Sequence, residues 1–172
     1  MDHGRADFEN FVAHNTDALT RTAYLIVWDL PEAEDLVQET LLKVAGRWHR
    51  IRRMDHPVAY ARRVLVNLAL SGADRHGRRR RELTGEAPPE RGDESGESGA
   101  IDTQDELMRA LAGLPPRQRT VLVLRYFLDL PEAEVAAAMK CSLGTVKSTA
   151  SRGLARLEQT LRTTNDTRSI PT

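Results

Sequence analysis

The 172-residue sequence contains a single cysteine, few aromatic residues and no long apolar run. Cys141 has no second cysteine with which to form an internal disulfide, so the chain suits a reducing compartment. No stretch of about 18 apolar residues is present, so no transmembrane helix is expected. Asp2, Asp7 and Glu9 make an acidic N-terminus that no apolar segment follows. We therefore expect no secretory signal peptide, and a cytoplasmic protein without a membrane partner.

The sequence features of enzymes are also missing. No glycine-rich phosphate loop and no nucleophile–base pair occurs in the sequence. The five histidines show no metal-ligand spacing. We therefore predict no enzyme activity and no catalytic residue, and we expect no cofactor, no bound metal and no small-molecule substrate. Cys141 is interpreted as a small packing residue rather than a nucleophile.

A net charge of zero conceals strong segregation of charge along the chain. The net charge is +4 over residues 73–81, −8 over residues 82–106 and +5 over residues 107–172. Residues 82–102 combine acidic charge with prolines and glycines and have few apolar side chains. This composition predicts a flexible, self-repelling linker, which by sequence alone is most simply inert.

Apolar residues recur at three- and four-residue steps on both sides of this segment, which predicts helices. The predicted helices cover residues 7–27, 31–48, 57–73, 103–112, 116–127, 131–139 and 143–162, with a polar loop at 49–55. The predicted fold class is all-α, with two small helical domains at residues 1–81 and 103–162. They are joined by the flexible acidic linker at 82–102 and followed by a disordered tail at 163–172. Because the linker has few apolar anchors, we expect the domains to be flexibly tethered or held by an inhibitor.

The hexapeptide DLPEAE occurs twice, at residues 29–34 and 129–134. Its flanking sequences do not match, so a duplicated domain is the less favoured interpretation. We predict instead two junctions of the same form, in which a loop leads into a helix whose first turn contains the proline.

The most specific pattern is a pair of short helices near the C-terminus. Residues 132–139 predict the first helix, Lys140 lies in a tight turn, and Ser142 is the predicted N-cap of the second helix. This spacing is typical of a helix-turn-helix, whose second helix enters the DNA major groove. A helical hairpin with a solvated face is the alternative. The predicted inward side chains of the second helix are Val146, Ala150 and Leu154, and the outward ones are Lys147, Ser148, Thr149, Ser151 and Arg152.

Two polar clusters lie in the N-terminal domain. Glu34, Asp35, Gln38 and Glu39 form an acidic face that repels DNA and suits a basic protein partner or solvent, and spacing alone favours solvent. The second cluster mixes cations with aromatic rings, as single-stranded nucleic acid requires. Its members are Trp48, Arg50, Arg52, Arg53, Tyr60, Arg62, Arg63 and Asn67. The arginine run at 78–81 suits either nucleic acid or a nonspecific electrostatic patch.

Taken together, these stretches resemble the extracytoplasmic-function (group IV) sigma factors of bacterial RNA polymerase, particularly the short actinobacterial type. Residues 33–39 (AEDLVQE) resemble the family's polymerase-docking helix, and residues 59–69 (AYARRVLVNLA) resemble its promoter-melting helix. Residues 114–119 (LPPRQR) followed by the helix-turn-helix resemble its C-terminal domain. The resemblance covers about residues 8–162.

The resemblance implies a chain that binds core RNA polymerase and promoter DNA, both as duplex and as melted single strand. The implied polymerase-binding residues are Asp35, Gln38 and Glu39. The implied residues for the minus-ten element are Arg50, Arg52, Arg53, Tyr60, Arg62, Arg63 and Asn67. The implied residues for the minus-thirty-five element are Lys147, Ser148, Thr149, Ser151 and Arg152. The acidic linker would then lie against basic polymerase walls near the RNA path.

A stand-alone helix-turn-helix regulator that never engages polymerase is the alternative function, and the acidic face and acidic linker argue against it. Lys140 stands where the family often has glycine, so it is expected to accept an unfavourable backbone conformation, at a cost of roughly 1 kcal/mol if that conformation is left-handed. Thr149 and Ser151 are small, which predicts few or water-mediated contacts to the minus-thirty-five element. No regulatory segment follows Thr172, so control is expected from expression, proteolysis or a separate anti-sigma factor.

Overall fold

The computed structural model describes residues 3–84 and 103–168, and within them the side chains of residues 4–76 and 104–164. Secondary structure in these residues is entirely helical, which confirms the all-α fold class. In chain order the elements are α1 (His3–Val27), α2 (Leu30–Ala45), α3 (Trp48–Ile51), α4 (Pro57–Thr84), α5 (Thr103–Ala112), α6 (Pro116–Leu122), the π-helical segment Val123–Phe127, α7 (Glu132–Met139) and α8 (Leu143–Arg168).

Several predicted boundaries differ from the structure, among them the start of α1 at His3 and the end of α2 at Ala45. The polar loop predicted from residue 49 begins instead with the short helix α3. Helix α4 continues to Thr84 and α8 to Arg168, each well past the end that apolar periodicity indicated. The added turns of α4 are rich in arginine, a good helix former that extends a helix without an apolar stripe, which periodicity does not detect. The predicted disorder of the tail was wrong for residues 163–168, which continue α8. Side chains of the arginine run at 78–81, and residues 85–102 of the predicted linker, lie outside what the structure describes.

The N-terminal copy of the repeated hexapeptide forms a capped helix start. Asp29 is extended (φ −138°), and its side chain accepts a hydrogen bond of 2.7 Å from the backbone N–H of Glu32. Pro31 lies in the first turn of α2, as predicted. Because the aspartate satisfies one of the free N–H groups, this junction fixes where α2 begins.

The C-terminal copy has a different structure, so the prediction of two junctions of the same form was wrong. Asp129 has a left-handed backbone (φ 50°), and α7 starts at Glu132 without a side-chain cap. The preceding π-helical segment determines this geometry, because Arg125 Nη1 donates to the carbonyl of Leu130 at 2.8 Å. The N–H of Leu130 also donates to the carbonyl of Leu124 at 3.0 Å. Contacts outside the hexapeptide therefore decide its conformation.

Helices α1, α2 and α4 pack together to form the core of the first domain, with α3 against α1 and α2. One cluster of aromatic rings closes this core beside α3. The Trp48 ring lies 5.3 Å from that of Phe8 and 5.0 Å from that of Phe11 between ring centroids. Trp48 is therefore a packing residue, and the interpretation that its ring belongs to a nucleic-acid surface was wrong.

Helices α5 to α8 form the second domain, in which α8 packs against α5, α6 and α7. The buried stripe of α8 contains Val146, Thr149 and Gly153, whereas Leu154 is 42% exposed. The predicted inward position of Leu154 was therefore wrong. A Cβ atom on Gly153 would lie 3.3 Å from side-chain atoms of Leu122, so the glycine permits close approach of α8 and α6.

The two domains contact each other directly. Helix α4 packs against α7 and α6, and α1 packs against α6 and the π-helical segment. The buried apolar residues of both domains form one continuous cluster. Flexible tethering was predicted, whereas in the structure the two domains are packed against each other. That prediction considered only the linker, whereas the contact is made by helix faces that the linker's composition does not describe.

Candidate partner and nucleic-acid interfaces

Helix α2 presents the predicted acidic face to the surface. Asp35, Gln38 and Glu39 are exposed, while Val37, Thr40 and Val44 on the opposite side are buried. Glu39 forms an ion pair of 3.4 Å with Lys43 on the same helix, and both side chains are about half exposed. The three predicted residues therefore share one open surface of carboxylate and amide groups, available to a partner with matching donors.

Sequence reasoning missed an apolar residue on this acidic face. Leu42 is 73% exposed, and it follows Asp35 and Gln38 at seven and four residues, which places it in the same row. The sequence analysis gave Leu42 no role. Its spacing of four residues from Gln38, about one helical turn, was the signal that could have placed it on this face. The exposed leucine adds to this acidic face an apolar area that a partner can bury.

An open groove of about 600 Å³ continues this surface onto α1. Glu34 and Gln38 line it from α2, and Asp17 and Arg21 line it from α1. Six of the eight residues that line the groove carry polar side chains, and both charges are present among them. It therefore extends the acidic face of α2 with a second helix, and α1 was not part of the predicted interface.

The predicted minus-ten residues before α4 lie on and just after α3. Arg50, Arg52 and Arg53 are exposed there, and Arg52 Nη1 lies 2.9 Å from the Asp7 carboxylate on α1. The Tyr60 hydroxyl accepts a hydrogen bond of 3.1 Å from Arg47 Nη1. Arg47 thus connects the α3 region to α4, a role that its position in the sequence did not reveal.

Arg62 and Asn67 lie on the part of α4 that α7 covers. Arg62 Nη1 is 3.9 Å from Glu134 Oε2, and the Arg62 side chain is only 20% exposed. Burial lowers the pKa of the Arg62 guanidinium, while the Glu134 carboxylate acts in the opposite direction. Asn67 Nδ2 donates to the carbonyl of Ala138 at 3.1 Å. By contrast, Arg63 is exposed, so the structure separates the predicted strand-binding residues of α4 into covered and open ones.

Helix α8 begins as the sequence predicts. The N–H of Thr145 donates to Ser142 Oγ at 3.1 Å, which confirms Ser142 as the N-cap. The preceding Lys140 has a left-handed backbone (φ 52°, ψ 48°), which is the unfavourable conformation considered for this turn position. The N-terminal turn after it, including Leu143 and Thr145, is exposed and was not among the predicted contacts.

Four of the five predicted minus-thirty-five residues are exposed on α8: Lys147, Ser148, Ser151 and Arg152. The fifth, Thr149, is only 8% exposed and belongs to the buried stripe, so its predicted outward position was wrong. Lys147 Nζ lies 3.8 Å from Glu132 on α7, and Arg152 Nε donates to the carbonyl of Ser148 at 3.2 Å. The exposed cations and hydroxyls make a surface that can donate to phosphates and base edges.

Comparison with known protein families gives two matches, one in each domain. Residues 11–79 match Sigma-70 region 2, and residues 104–157 match Sigma-70, region 4. The first match contains the acidic face of α2 and the basic residues of α3 and α4. The second contains the whole helix-turn-helix.

Whole-chain relatives agree with the two matches. The RNA polymerase sigma-E factor of Streptomyces coelicolor is 39% identical over 158 residues, covering 90% of this chain and 86% of that protein. The ECF RNA polymerase sigma factor SigG of Mycobacterium tuberculosis is 30% identical over 197 residues, covering 99% of this chain and 53% of that protein. A solved structure of the sigma factor RpoE from Bartonella quintana, in complex with the anti-sigma factor NepR, aligns with a TM-score of 0.69. That alignment has 27% identity and covers 91% of this chain and 97% of the other.

The chain belongs to the extracytoplasmic-function sigma factors of RNA polymerase, with the short architecture of a region 2 and a region 4 domain. Sigma factors are transcription initiation factors rather than enzymes. Among the residues the structure describes, no helix has the length and apolar character that a bilayer span requires.

Proposed function

We propose that this chain binds core RNA polymerase through α2, reads duplex promoter DNA through α8 and holds one unpaired strand with α3 and α4. The observation that carries this proposal is the separation of two exposed surfaces of opposite chemistry. The face with Asp35, Gln38 and Glu39 is acidic, whereas the start of α8 exposes Lys147 and Arg152. An acidic face repels DNA, so only one of the two surfaces suits a phosphate backbone.

In this proposal the three polar residues of α2 dock on the polymerase. Carboxylates accept charge-assisted hydrogen bonds from basic side chains, and such bonds are about twice as strong as neutral ones. Leu42 supplies the apolar contact in the same row, and the groove beside α1 enlarges the surface. A partner with basic groups around an apolar pocket matches this arrangement.

The proposed role of α8 is to read the minus-thirty-five element as duplex. Lys147, Ser148, Ser151 and Arg152 lie on the open side of its first turns, as expected for a helix that enters the major groove N-terminus first. Thr149 is left out of this proposal because it is buried. Its burial leaves mainly short hydroxyls between the two cations, which favours phosphate contacts and water-mediated base contacts.

The proposed role of α3 and α4 is to hold the unpaired minus-ten strand. The exposed Arg50, Arg52, Arg53 and Arg63 can follow the phosphates, and Tyr60, Arg62 and Asn67 lie along α4 beside them. Binding of unpaired bases supplies the free energy that separates the strands, so nucleotide hydrolysis is not needed. An anti-sigma factor is a further proposed partner, because the Bartonella quintana relative was solved in complex with one.

A fork-junction DNA tests this proposal against a stand-alone regulator. The probe is a pool of random-sequence duplexes, each continuing into an unpaired strand, presented to core polymerase with and without the chain. We expect selected forks to be retained only when chain and core are both present. Equal retention of duplex DNA by the chain alone, with no gain from active core, would support the stand-alone regulator.

Replacing Leu42 with alanine should weaken core polymerase binding about tenfold, because the truncated side chain has less apolar area for the partner to bury. Thermal stability should stay within about 0.5 kcal/mol of native, since surface changes rarely exceed this. Leu30→Ala is the matched control, because Leu30 lies at the other end of α2 and is 51% exposed. Titration of labelled chain with core measures both affinities. Equal affinity for the two variants would remove Leu42 from the interface.

A further inference from the structure

The second copy of the repeated hexapeptide places a carboxylate between two cations. Glu132, the first residue of α7, has its Oε1 atom 3.8 Å from Arg125 Nη2 and its Oε2 atom 3.8 Å from Lys147 Nζ. Each oxygen therefore faces a different cation, one from the π-helical segment and one from α8. Of these three side chains, only Lys147 has a role in the proposed function.

Arg125 fixes the position of this carboxylate. Its Nη1 donates a hydrogen bond of 2.8 Å to the carbonyl of Leu130, so the turn that leads into α7 holds the guanidinium in place. The Arg125 side chain is only 28% exposed, and its guanidinium also lies 6.0 Å from the centroid of the Tyr126 ring. Glu132 thus lies beside a cation that cannot swing away, and its second oxygen is left for Lys147.

The first copy of the hexapeptide provides an internal comparison. Glu32 has the same place at the start of α2, and its side chain is also partly buried. Its backbone N–H is capped by Asp29, whereas Asp129 is left-handed and α7 has no side-chain cap. Among the side chains that the structure describes, none forms an ion pair with Glu32. The bridge between two cations therefore belongs to position 132 and not to the hexapeptide as such.

Lys147 is restrained by this ion pair and still accessible. Its side chain is 66% exposed, so an acceptor on DNA can reach the ammonium while Glu132 remains beside it. An ammonium carries three N–H donors, and one carboxylate oxygen leaves others available. Lys147 can therefore contact DNA from its paired position. To reach an acceptor elsewhere, it must leave the carboxylate.

This restraint affects matched and random DNA differently. On a matched site α8 has one register, so an acceptor can coincide with the single position in which the lysine is held. On random duplexes the phosphates meet α8 in many registers, and the lysine reaches most of them only by breaking its ion pair with Glu132. The carboxylate also repels phosphates that approach without contacting Lys147. Glu132 thus lowers the affinity for random DNA more than the affinity for a matched site.

We propose that Glu132 is a positioning residue that determines specificity: its carboxylate, fixed by Arg125, holds Lys147 where it reads the promoter element and limits its contacts with random phosphates. The inference rests on the proposed role of α8 in reading duplex DNA. Glu132 needs no contact with DNA of its own, because it acts through Lys147.

Glu132→Gln tests the inference, because it keeps the size of the side chain and removes its charge. Glu32→Gln is the matched control, with the same change at the same place in the other copy of the hexapeptide. Each full-length chain is titrated by fluorescence anisotropy against the duplex selected by the native chain and against a pool of random duplexes of equal length, at several salt concentrations. Lys147→Ala and Glu132→Gln/Lys147→Ala complete a double-mutant cycle, and circular dichroism confirms that each variant remains helical.

We expect Glu132→Gln to bind random duplexes more tightly and to reduce the ratio of selected to random affinity about fivefold, the upper end of what a partly exposed ion pair contributes. Structural damage would lower both affinities instead. The slope of log affinity against log salt for random duplexes should steepen by about 0.9, the value for one added phosphate contact. Glu32→Gln should leave the ratio and the slope near native.

In the Lys147→Ala background, the change Glu132→Gln should alter the ratio less than about twofold. An equal reduction of the ratio in both backgrounds would mean that Glu132 acts by its charge alone, and the positioning role would be wrong. If Glu132→Gln keeps the native ratio while Lys147→Ala weakens binding to the selected duplex, the inference fails and the reading role of α8 stands. Unchanged affinity of Lys147→Ala for the selected duplex overturns the proposed contact of Lys147 with DNA and, with it, the role of Glu132.

Discussion

The double variant Asp35→Ala/Glu39→Ala should bind core RNA polymerase about 100-fold more weakly than the native chain. Both residues are exposed on one face of α2, and truncating charged groups that become buried at an interface costs about 3 kcal/mol or more. The partner's cations lose their acceptors, so the dissociation rate should rise more than the association rate falls. Stopped-flow fluorescence of labelled chain with core measures both rates.

Glu9→Ala/Glu158→Ala is the matched control for charge. Glu9 pairs with Arg5 and Glu158 with Arg162, each four residues away, just as Glu39 pairs with Lys43. The control removes the same charge from surfaces outside the acidic face, so its dissociation rate should stay near native. If both double variants lost affinity equally, net charge rather than the α2 face would explain the binding.

The double variant Lys147→Ala/Arg152→Ala should bind duplex promoter DNA at least about 30-fold more weakly, because each lost contact costs about 1 kcal/mol or more. If both cations contact phosphates, the slope of log affinity against log salt should fall by about 1.8. Affinity is measured by anisotropy on a duplex selected by the native chain. Arg109→Ala/Arg162→Ala is the control, because both arginines are exposed on other parts of the second domain.

The burial of Thr149 adds a sharper test of how α8 is oriented. Thr149→Val removes a hydroxyl from a side chain that is only 8% exposed and keeps its branched shape, so it should change duplex affinity less than twofold. Ser148→Val alters an exposed position and should weaken binding by several fold. A large loss from Thr149→Val, with stability retained, would contradict the orientation of α8 in the structure.

The helices and the all-α class could be predicted because the apolar residues of an amphipathic helix recur with a period of about 3.6 residues. The inward set of α8 was partly wrong for a reason that lies in the same period. Steps of four residues advance about 40° beyond a full turn, so Val146, Ala150 and Leu154 rotate away from a common face. The buried stripe alternates steps of three and four and reaches Thr149 and Gly153 instead.

Other features depend on contacts that a single sequence does not show. The repeated hexapeptide adopts two structures because Arg125 and the π-helical segment hold only the second copy. The contact between α4 and α7 joins residues about 70 positions apart, among them Asn67 and Ala138. Linker composition carries no information about such surfaces, so the packed domains could not be predicted from it. Helical spacing placed Asp35 and Lys147 on polar faces, but spacing alone favoured solvent for the acidic face, and only the family resemblance predicted a polymerase-binding role for it.

Run-off transcription tests the central claim most directly. Core RNA polymerase, shown to be active with another sigma factor, is incubated with the native chain and a library of promoter-like templates. The account predicts transcripts that start at defined positions, depend on the chain, and disappear with Asp35→Ala/Glu39→Ala. Absence of any chain-dependent start site, while the chain still binds duplex DNA through α8, would contradict it.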